Sequence, residues 1–550
     1  MKNRLWREPW LWTVTVFSLL LAVPVLLIFS SIFIPQKALW QHLIDTVLSD
    51  YVYHSLLIAF SVGALTLLVG TSLAWLVARY EFSGRGSLQW LILLPMAMPA
   101  YILAYTYTGM LDVAGPLQTH LRAFFNWTYH DYWFPDVRSV GGALLMLSLV
   151  LYPYVYMLGR TAFSEQSASF YEASRSMGVS GFAYFRKVAF PLARPAILTG
   201  TALAMMEAFA DYGTVQYFGI STFTTGIFRT WNGLGNAIGA AQLAAVLTSF
   251  VLVLLLIEKH SRRRLRYFHQ GQKQHSVKRL SLSPIKSFWA VVACLIPVAL
   301  GFIIPCVQLI IWAVERASSQ VDAQFMVLIW NSFYLAVSAA LIAVGLALLF
   351  SYAKRLRSHW LLNSQVQLAS LGYAIPGTVI AIGAMLMLSA ADDAVNALTE
   401  ALFDTSVGLI FSGTLVALLL AYSVRFLAVA MHNVEAGLQR IKPSMDDAAR
   451  SMGLSSFSVL KKVHVPLLRA SVLSALLLVF VDVLKELPAT LILRPFNFNT
   501  LAVRTFELAS EERLQDAAVP AITIVMVGLL PVILLTRALE STKHKSSSHA

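Results

Sequence analysis

Long apolar segments separated by short polar ones make up most of the chain. Apolar segments of about 20 residues recur along it, and each is long enough to cross a bilayer as a helix. Only helices can satisfy the backbone groups of so many segments of this length, because membrane barrels use spans about half as long. The pattern predicts an all-α polytopic membrane protein. About twelve spans are expected, at residues 12–34, 54–78, 88–110, 140–163, 195–217, 236–257, 288–313, 331–353, 366–389, 409–431, 470–493 and 518–537.

The polar segments between the predicted spans alternate in charge, and this alternation predicts orientation. Basic loops remain on the cytoplasmic side of a membrane, so the basic set and both termini are expected there. The basic set contains Arg79, Arg85, Arg160, Arg186, Lys187, Lys354, Arg355, Arg357, Lys461, Lys462, Lys543 and Lys545. The acidic, outward set contains Asp112, Asp131, Asp136, Asp392, Asp393, Glu400, Asp404, Glu511 and Glu512.

The composition agrees with a membrane protein and excludes a nucleic-acid-binding one. The chain is 58% hydrophobic and 13% charged, which is far more apolar than a soluble domain requires. Its net charge of +13 is spread over short loops and forms no basic stripe, so no nucleic-acid partner is expected. Membrane lipid is the expected surroundings.

One polar motif occurs twice, 275 residues apart. It reads acidic-Ala-small, three residues, Gly, nine residues, apolar-x-apolar-Pro. Half the chain length separates the copies, which indicates a fused duplication: a first domain at 1–257, a basic linker at 258–287 and a second domain at 288–550. The first copy contains Glu172, Ala173, Ser174, Gly178 and Pro191, and the second contains Asp447, Ala448, Ala449, Gly453 and Pro466.

Each residue type in this motif has a physical reason to be there. Small residues let a short helix lie close to a partner, and a carboxylate near a helix start suits the dipole and can bind a partner's cation. Glycine suits a turn that needs positive φ or close backbone approach, and proline tolerates the first turn of the next span. An ordinary amphipathic connection capped by glycine would explain one copy, but two matched copies favour a functional loop.

Acidic residues recur inside two predicted spans, again at an offset of 275. Glu207 and Asp211 lie four residues apart and share a helix face, as do Asp482 and Glu486, with Lys485 beside them. Carboxylates at this depth usually line a pathway or form an ion pair. The four acids are therefore candidates for a translocation pathway that attracts cations. The alternative is that Lys485 pairs with its neighbours structurally and that Asp211 lies in water at the outer interface.

The repeated motif resembles the coupling-loop signature of permeases in binding-protein-dependent ABC importers. Residues 210–219 and 222–227, together with 481–490 and 493–502, resemble the two halves of fused ferric-iron permeases. The resemblance implies the type I importer permease fold, with coupling loops 164–194 and 439–469 docked on two copies of a separate ATPase. It also implies a bacterial inner-membrane location and a periplasmic binding protein that delivers Fe(III).

Other functions compatible with the sequence remain open. Fused thiamine permeases share the layout, and polyamine and sulfate permeases share the coupling loop, although a cation-attracting field would not favour sulfate. An ion-coupled secondary transporter could also use intramembrane carboxylates, but it would need no ATPase dock. The chain contains no phosphate-binding Gly-x4-Gly-Lys-Ser/Thr motif, so ATP hydrolysis is expected in a partner chain. No catalytic residue, resident metal or cofactor is expected.

Overall fold

The computed structural model describes residues 9–166, 168–263, 279–356 and 359–547, and these ranges are almost entirely helical. The first thirteen helices are α1 (Pro9–Ser30), α2 (Lys37–Thr46), α3 (Leu48–Arg79), α4 (Arg85–Leu91), α5 (Ala100–Leu111), α6 (Pro116–Phe125), α7 (Val140–Ser164), α8 (Ala168–Ser176), α9 (Gly181–Tyr184), α10 (Phe190–Ala210), α11 (Gly213–Tyr217), α12 (Phe223–Phe228) and α13 (Ala237–Arg263).

Twelve helices follow the linker. They are α14 (Pro284–Val298), α15 (Ile304–Gln320), α16 (Ala323–Leu356), α17 (Trp360–Ala369), α18 (Gly377–Phe403), α19 (Leu415–Leu438), α20 (Pro443–Ser451), α21 (Ser456–Val459), α22 (Val465–Leu484), α23 (Pro488–Leu493), α24 (Leu501–Ser510) and α25 (Ala518–Ser547). Two-residue strands, β1 (Tyr80–Glu81) and β2 (Leu280–Ser281), pair in parallel. The predicted all-α polytopic class is confirmed.

The helices that can span a membrane follow the predicted segments closely. Among the described residues, ten are long and apolar enough, and an eleventh results if Arg85–Ala97 and Ala100–Phe125 form one broken span. These two pieces meet at 89° around Pro99, where a kink was predicted. The twelfth predicted span corresponds to a shorter apolar helix, Ala518–Pro531. Ten or eleven spans therefore stand against the twelve expected.

The chain forms two compact units that exchange elements between the sequence halves. The first, called the α16 unit, comprises Met1–His42, Gly226–Thr248 and Val321–Arg504. Within it α16, α19 and α22 pack on one another, and α1 packs on α17 and α18. Tyr352 and Tyr422 are fully buried there, and each hydroxyl has a partner, the Ser456 carbonyl and the Thr490 hydroxyl respectively. The N-terminal helix thus belongs with helices of the second half.

The second unit, called the α3 unit, comprises Leu43–Thr225, Ser249–Gln320 and Thr505–Ala550. Helices α3, α7 and α10 form its centre, and α15 packs on α25. Tyr152 and Tyr156 of α7 donate hydrogen bonds of 2.9 Å to the carbonyls of Ile92 and Gln89, which fixes the end of α4. The first span of the second half, α14 and α15, therefore belongs with helices of the first half.

Some predicted features fall outside the described residues. They include the middle of the basic linker, 264–278, together with Lys2, Arg4, Arg7 and Arg357. The side chains of Lys543 and Lys545 also lie outside the description. The division of the chain at 1–257, 258–287 and 288–550 stays a prediction about the sequence repeat.

Candidate functional site

Both candidate coupling loops have the same backbone: a short helix, a turn at glycine, a second short helix and a π-helical turn that leads into a span. In the first loop these are α8, Gly178, α9 and residues Phe185–Ala189, followed by α10. In the second they are α20, Gly453, α21 and residues Leu460–His464, followed by α22. The repeat in sequence is therefore a repeat in structure.

The two glycines end their helices in the left-handed conformation. Gly178 has φ +78° and Gly453 has φ +83°. The N–H after each glycine bonds back to the carbonyl five residues earlier, Val179 to Ser174 at 2.9 Å and Leu454 to Ala449 at 3.2 Å. This is the Schellman arrangement. No atom lies within 4 Å of a Cβ placed on either glycine, so backbone conformation, rather than close approach, requires glycine here.

The acidic-Ala-small triplets have matched exposure in both loops. Glu172 and Ala173 are exposed whereas Ser174 is buried, and Asp447 and Ala448 are exposed whereas Ala449 is buried. Ser174 satisfies its hydroxyl by donating to the Phe170 carbonyl at 2.7 Å. Each carboxylate is on the fifth residue of its helix, beyond the first turn where the helix dipole acts most strongly. The exposed acid and alanine are therefore available to a partner.

Exposed apolar side chains accompany each triplet, and the sequence reasoning did not select them. Met177 is 73% exposed and Met452 is 74% exposed, and the two are 275 residues apart. Phe182 and Phe457, also 275 apart, are 74% and 63% exposed. The signal was present in the sequence, because a Met and a Phe recur at fixed places in two polar segments. Together these four residues form what we call the Met/Phe faces.

A π-helical turn precedes the proline of each loop. Pro191 and Pro466 occupy the first turn of α10 and α22, as the motif predicted. Because proline lacks an N–H and its ring collides with the carbonyl four residues earlier, a continuous helix must widen just before it. The π turns at Phe185–Ala189 and Leu460–His464 provide this widening. The helix can thus continue from the loop into the span.

Asp211 lies at the end of α10, where the predicted span 195–217 breaks. Its Oδ1 accepts the N–H groups of Thr214 and Val215 at 3.1 Å, and its Oδ2 accepts the Thr214 hydroxyl at 3.0 Å. These are N–H groups at the start of α11, which have no partner within their own helix. Asp211 therefore stabilises the turn between α10 and α11.

Glu486 occupies the matching place between α22 and α23. Its Oε1 accepts the Ala489 N–H and its Oε2 accepts the Thr490 N–H, both at 3.2 Å. Oε1 also accepts a hydrogen bond from Arg425 Nη1 of α19 at 2.9 Å, and the side chains are only 14% and 2% exposed. An ideal Cβ on Gly377 would collide with this pair. Glu486 is thus both a helix-start acceptor and half of a buried ion pair.

The other two candidate acids lie one helical turn earlier. Glu207 and Asp482 are partly exposed, in the last turns of α10 and α22. Asp482 Oδ1 is 2.9 Å from Lys485 Nζ, the structural pairing that the sequence left open. Within the described ranges, no three His, Cys, Asp or Glu side chains are grouped so as to hold a metal ion. The four acids therefore divide into two that hold helix starts and two that lie beside them.

This fold, with two matched helix–turn–helix loops, defines a permease of two fused domains. The chain belongs to the family of binding-protein-dependent transport system inner membrane components, whose profile matches residues 66–267 and again residues 343–544. It is therefore a multi-pass permease of the ABC importer family. Membership implies the bacterial inner membrane and, as partners, an ATPase and a periplasmic binding protein. The resemblance predicted from the repeated motif is confirmed.

Relatives of different stated substrates share this family. The chain is 25% identical over 490 residues to the Fe(3+)-transport system permease protein FbpB 2 of Haemophilus influenzae, and the match covers 88% of each chain. It is 27% identical over 256 residues to the sulfate transport system permease protein CysW of Escherichia coli, covering 44% of this chain and 83% of the relative. It is 23% identical over 223 residues to the molybdenum transport system permease protein ModB of Escherichia coli, covering 39% and 94%.

Proposed function

We propose that this chain is the permease of an Fe(III) importer, driven by two copies of an ATPase that dock on loops 164–194 and 439–469. The observation that carries the docking proposal is the pair of Met/Phe faces. Large apolar side chains exposed at matched positions of two polar loops are typical of a protein interface. Methionine adapts its shape to a partner surface, and exposed Glu172 and Asp447 could bind partner cations.

Iron as the substrate is supported by similarity and by charge. The iron-transport relative matches both halves of the chain, whereas the sulfate and molybdenum relatives each match less than half of it. Fe(III) is a hard cation that suits oxygen ligands and a carboxylate-lined route. Thiamine or a polyamine is the alternative, because either would also favour such a route. An ion-coupled secondary transporter is disfavoured by membership of the importer family.

For the translocation pathway we propose a division of labour among the four acids. Glu207 and Asp482 face the route, while Asp211 and Glu486 maintain the helix breaks beside it. The hydrogen bonds of Asp211 and Glu486 support this division, since their carboxylate oxygens already serve backbone N–H groups. The carboxylates would guide a cation without binding it tightly.

The orientation proposal follows from the basic loops. Both termini and both coupling loops face the cytoplasm, and the linker 258–287 lies against anionic lipid while it joins two ancestral permeases at 1–257 and 288–550. The motion of the ATPases would enter through the coupling loops and pass into α10 and α22. The pathway would open outward, receive the substrate and reset after hydrolysis.

The test is uptake of labelled Fe(III) by cells that carry this chain with its ATPase and binding protein. We expect Met177→Lys/Met452→Lys to lower ATPase copurification and uptake about ten-fold or more, as for central residues of an interface. The control Met177→Leu/Met452→Leu keeps the faces apolar and should behave as wild type. Unchanged copurification in the lysine variant would refute docking on these faces. Uptake of thiamine or spermidine, but not Fe(III), by the wild type would refute iron.

A further inference from the structure

We propose that Arg79 and Arg355 are positioning residues that link each coupling loop to a span which the loop does not join covalently. The proposal rests on the proposed function of the loops. Arg79 ends α3 and Arg355 lies in the last turn of α16. Along the chain the loops continue only into α10 and α22, so α3 and α16 can follow them only through side-chain contacts.

In the first loop the link is aromatic. The Arg79 guanidinium carbon lies 3.8 Å from the ring centroid of Tyr171, in α8, and 5.8 Å from that of Tyr184, in α9. The two tyrosine rings meet edge to face at 5.1 Å. Arg79 is only 5% exposed, and cation–π attraction strengthens when water is excluded. One side chain of α3 therefore holds both short helices of the loop.

In the second loop the link is ionic. Arg355 Nε lies 2.8 Å from Asp446 Oδ2, in α20. Its other two nitrogens donate to the carbonyls of Leu438 and Ile441 at 2.6 and 2.9 Å, where α19 ends. His464 Nε2, in the π turn before α22, lies 2.8 Å from Asp446 Oδ1. The guanidinium fork and the carboxylate together connect α16, α19, α20 and the π turn.

The two links occupy equivalent places in the repeat. Tyr171 and Asp446 are 275 residues apart, and each directly precedes the acidic residue of the motif. Ala189 stands where the second loop has His464, so the aromatic partner is accompanied by a small residue and the carboxylate by an imidazole. Arginine is present in both loops. The shared element is an arginine from the preceding span, and only its partner on the loop has changed.

The position of these contacts gives them a part in coupling. The outer surfaces of α8 and α20 are exposed to a partner, and Tyr171 and Asp446 are on the inner side, against their own unit. A displacement imposed on the loop from outside thus reaches α3 through Arg79 and α16 through Arg355. Without these links the loop could move while α3 and α16 stay in place.

The test uses the permease–ATPase complex with an Fe(III)-loaded binding protein, and measures Fe(III) transported per ATP hydrolysed. Tyr171→Leu and Asp446→Asn should each lower this ratio about ten-fold, in the range of ordinary coupling energies, while ATPase copurification stays near the wild-type level. Tyr171→Phe retains the ring and should couple normally. The exchange Arg355→Asp/Asp446→Arg should recover part of the ratio lost in Asp446→Asn.

The outcomes separate the two proposals. A wild type that does not copurify with the ATPase overturns the proposed function and this inference with it. Normal copurification with an unchanged transport ratio in both Tyr171→Leu and Asp446→Asn overturns this inference alone. If Asp446→Asn does not accumulate in the membrane, Tyr171→Leu and its Phe control decide the question in the first loop. Equal loss in Tyr171→Phe and Tyr171→Leu would also contradict it.

Discussion

The helix break after α10 and the break after α22 solve the same problem with different residues. In the first, Asp211 accepts the N–H groups of Thr214 and Val215 without help from an arginine at the position that matches Arg425, which is Val150. In the second, Glu486 makes the matching backbone contacts and also binds Arg425. A duplicated element can therefore keep its backbone function while its electrostatic surroundings diverge.

Glycine accompanies the arginine in the second half. Gly377 follows Pro376 at the start of α18, and a Cβ there would collide with Arg425. The first half has Ala100 after the matching Pro99, at the start of α5. A methyl group is tolerated where no guanidinium needs the space. The Gly377–Arg425–Glu486 cluster is thus one joint change relative to the first half.

The largest expected effect comes from removing the cation of the buried pair. Arg425→Met leaves the Glu486 carboxylate buried without its charge partner, and we expect it to lower the free energy of unfolding by about 3–5 kcal/mol. Thermal unfolding of the purified permease, followed by tryptophan fluorescence, measures this. The double variant Arg425→Met/Glu486→Gln should recover much of the loss, because no charge then remains buried. Two variants of equal instability would show that the charge pairing is not what matters.

A smaller effect is expected from filling the space beside the pair. Gly377→Ala should cost about 1–3 kcal/mol, since the arginine must move to admit the methyl group. The control is Gly345→Ala in α16, where no atom lies within 4 Å of the new Cβ; it should be neutral or stabilising by up to about 1 kcal/mol. The same thermal measurement applies. Equal behaviour of the two variants would argue against the proposed crowding at Gly377.

The smallest effect is expected at the first break. Asp211→Ala removes an acceptor but leaves no opposite charge behind in the Arg425 position, and should cost about 1 kcal/mol, the usual value for losing a helix-start acceptor. Asp211→Asn keeps an acceptor oxygen and should cost less. The comparison with Glu486→Ala, which strands Arg425, sharpens the contrast. A larger loss in Asp211→Ala than in Glu486→Ala would contradict it.

The spans could be predicted because lipid imposes a simple requirement of length and polarity. Backbone breaks were harder, because apolar content does not report chain direction. The predicted spans 195–217 and 470–493 ran past Asp211 and Glu486, where α10 and α22 have already ended. The breaks depend on a side chain that accepts N–H groups three and four residues ahead. Residues such as Pro488 hinted at the second break, but the first had no proline to mark it.

The coupling loops were more predictable than the contacts that hold them. Gly178 and Gly453 reveal a turn by residue type alone, since few other residues adopt their conformation. Arg425 gave no such signal: it is 61 residues from its partner and has no counterpart in the repeat. The exchange of α1, α14 and α15 between sequence halves was also hidden, because a span's own sequence does not identify its neighbours. Pairing over long chain distances remains a property of the folded units.

The π turns before Pro191 and Pro466 set the rotational phase between each coupling loop and its span. A π turn contains one residue more than an α turn closed over the same path, and one residue of helix corresponds to about 100° of rotation and about 1.5 Å of rise. Shortening Phe185–Ala189 or Leu460–His464 by one residue would therefore turn the Met/Phe face of that loop to another side of the helix axis. The composition of the docking surface would be intact, and its direction would be wrong.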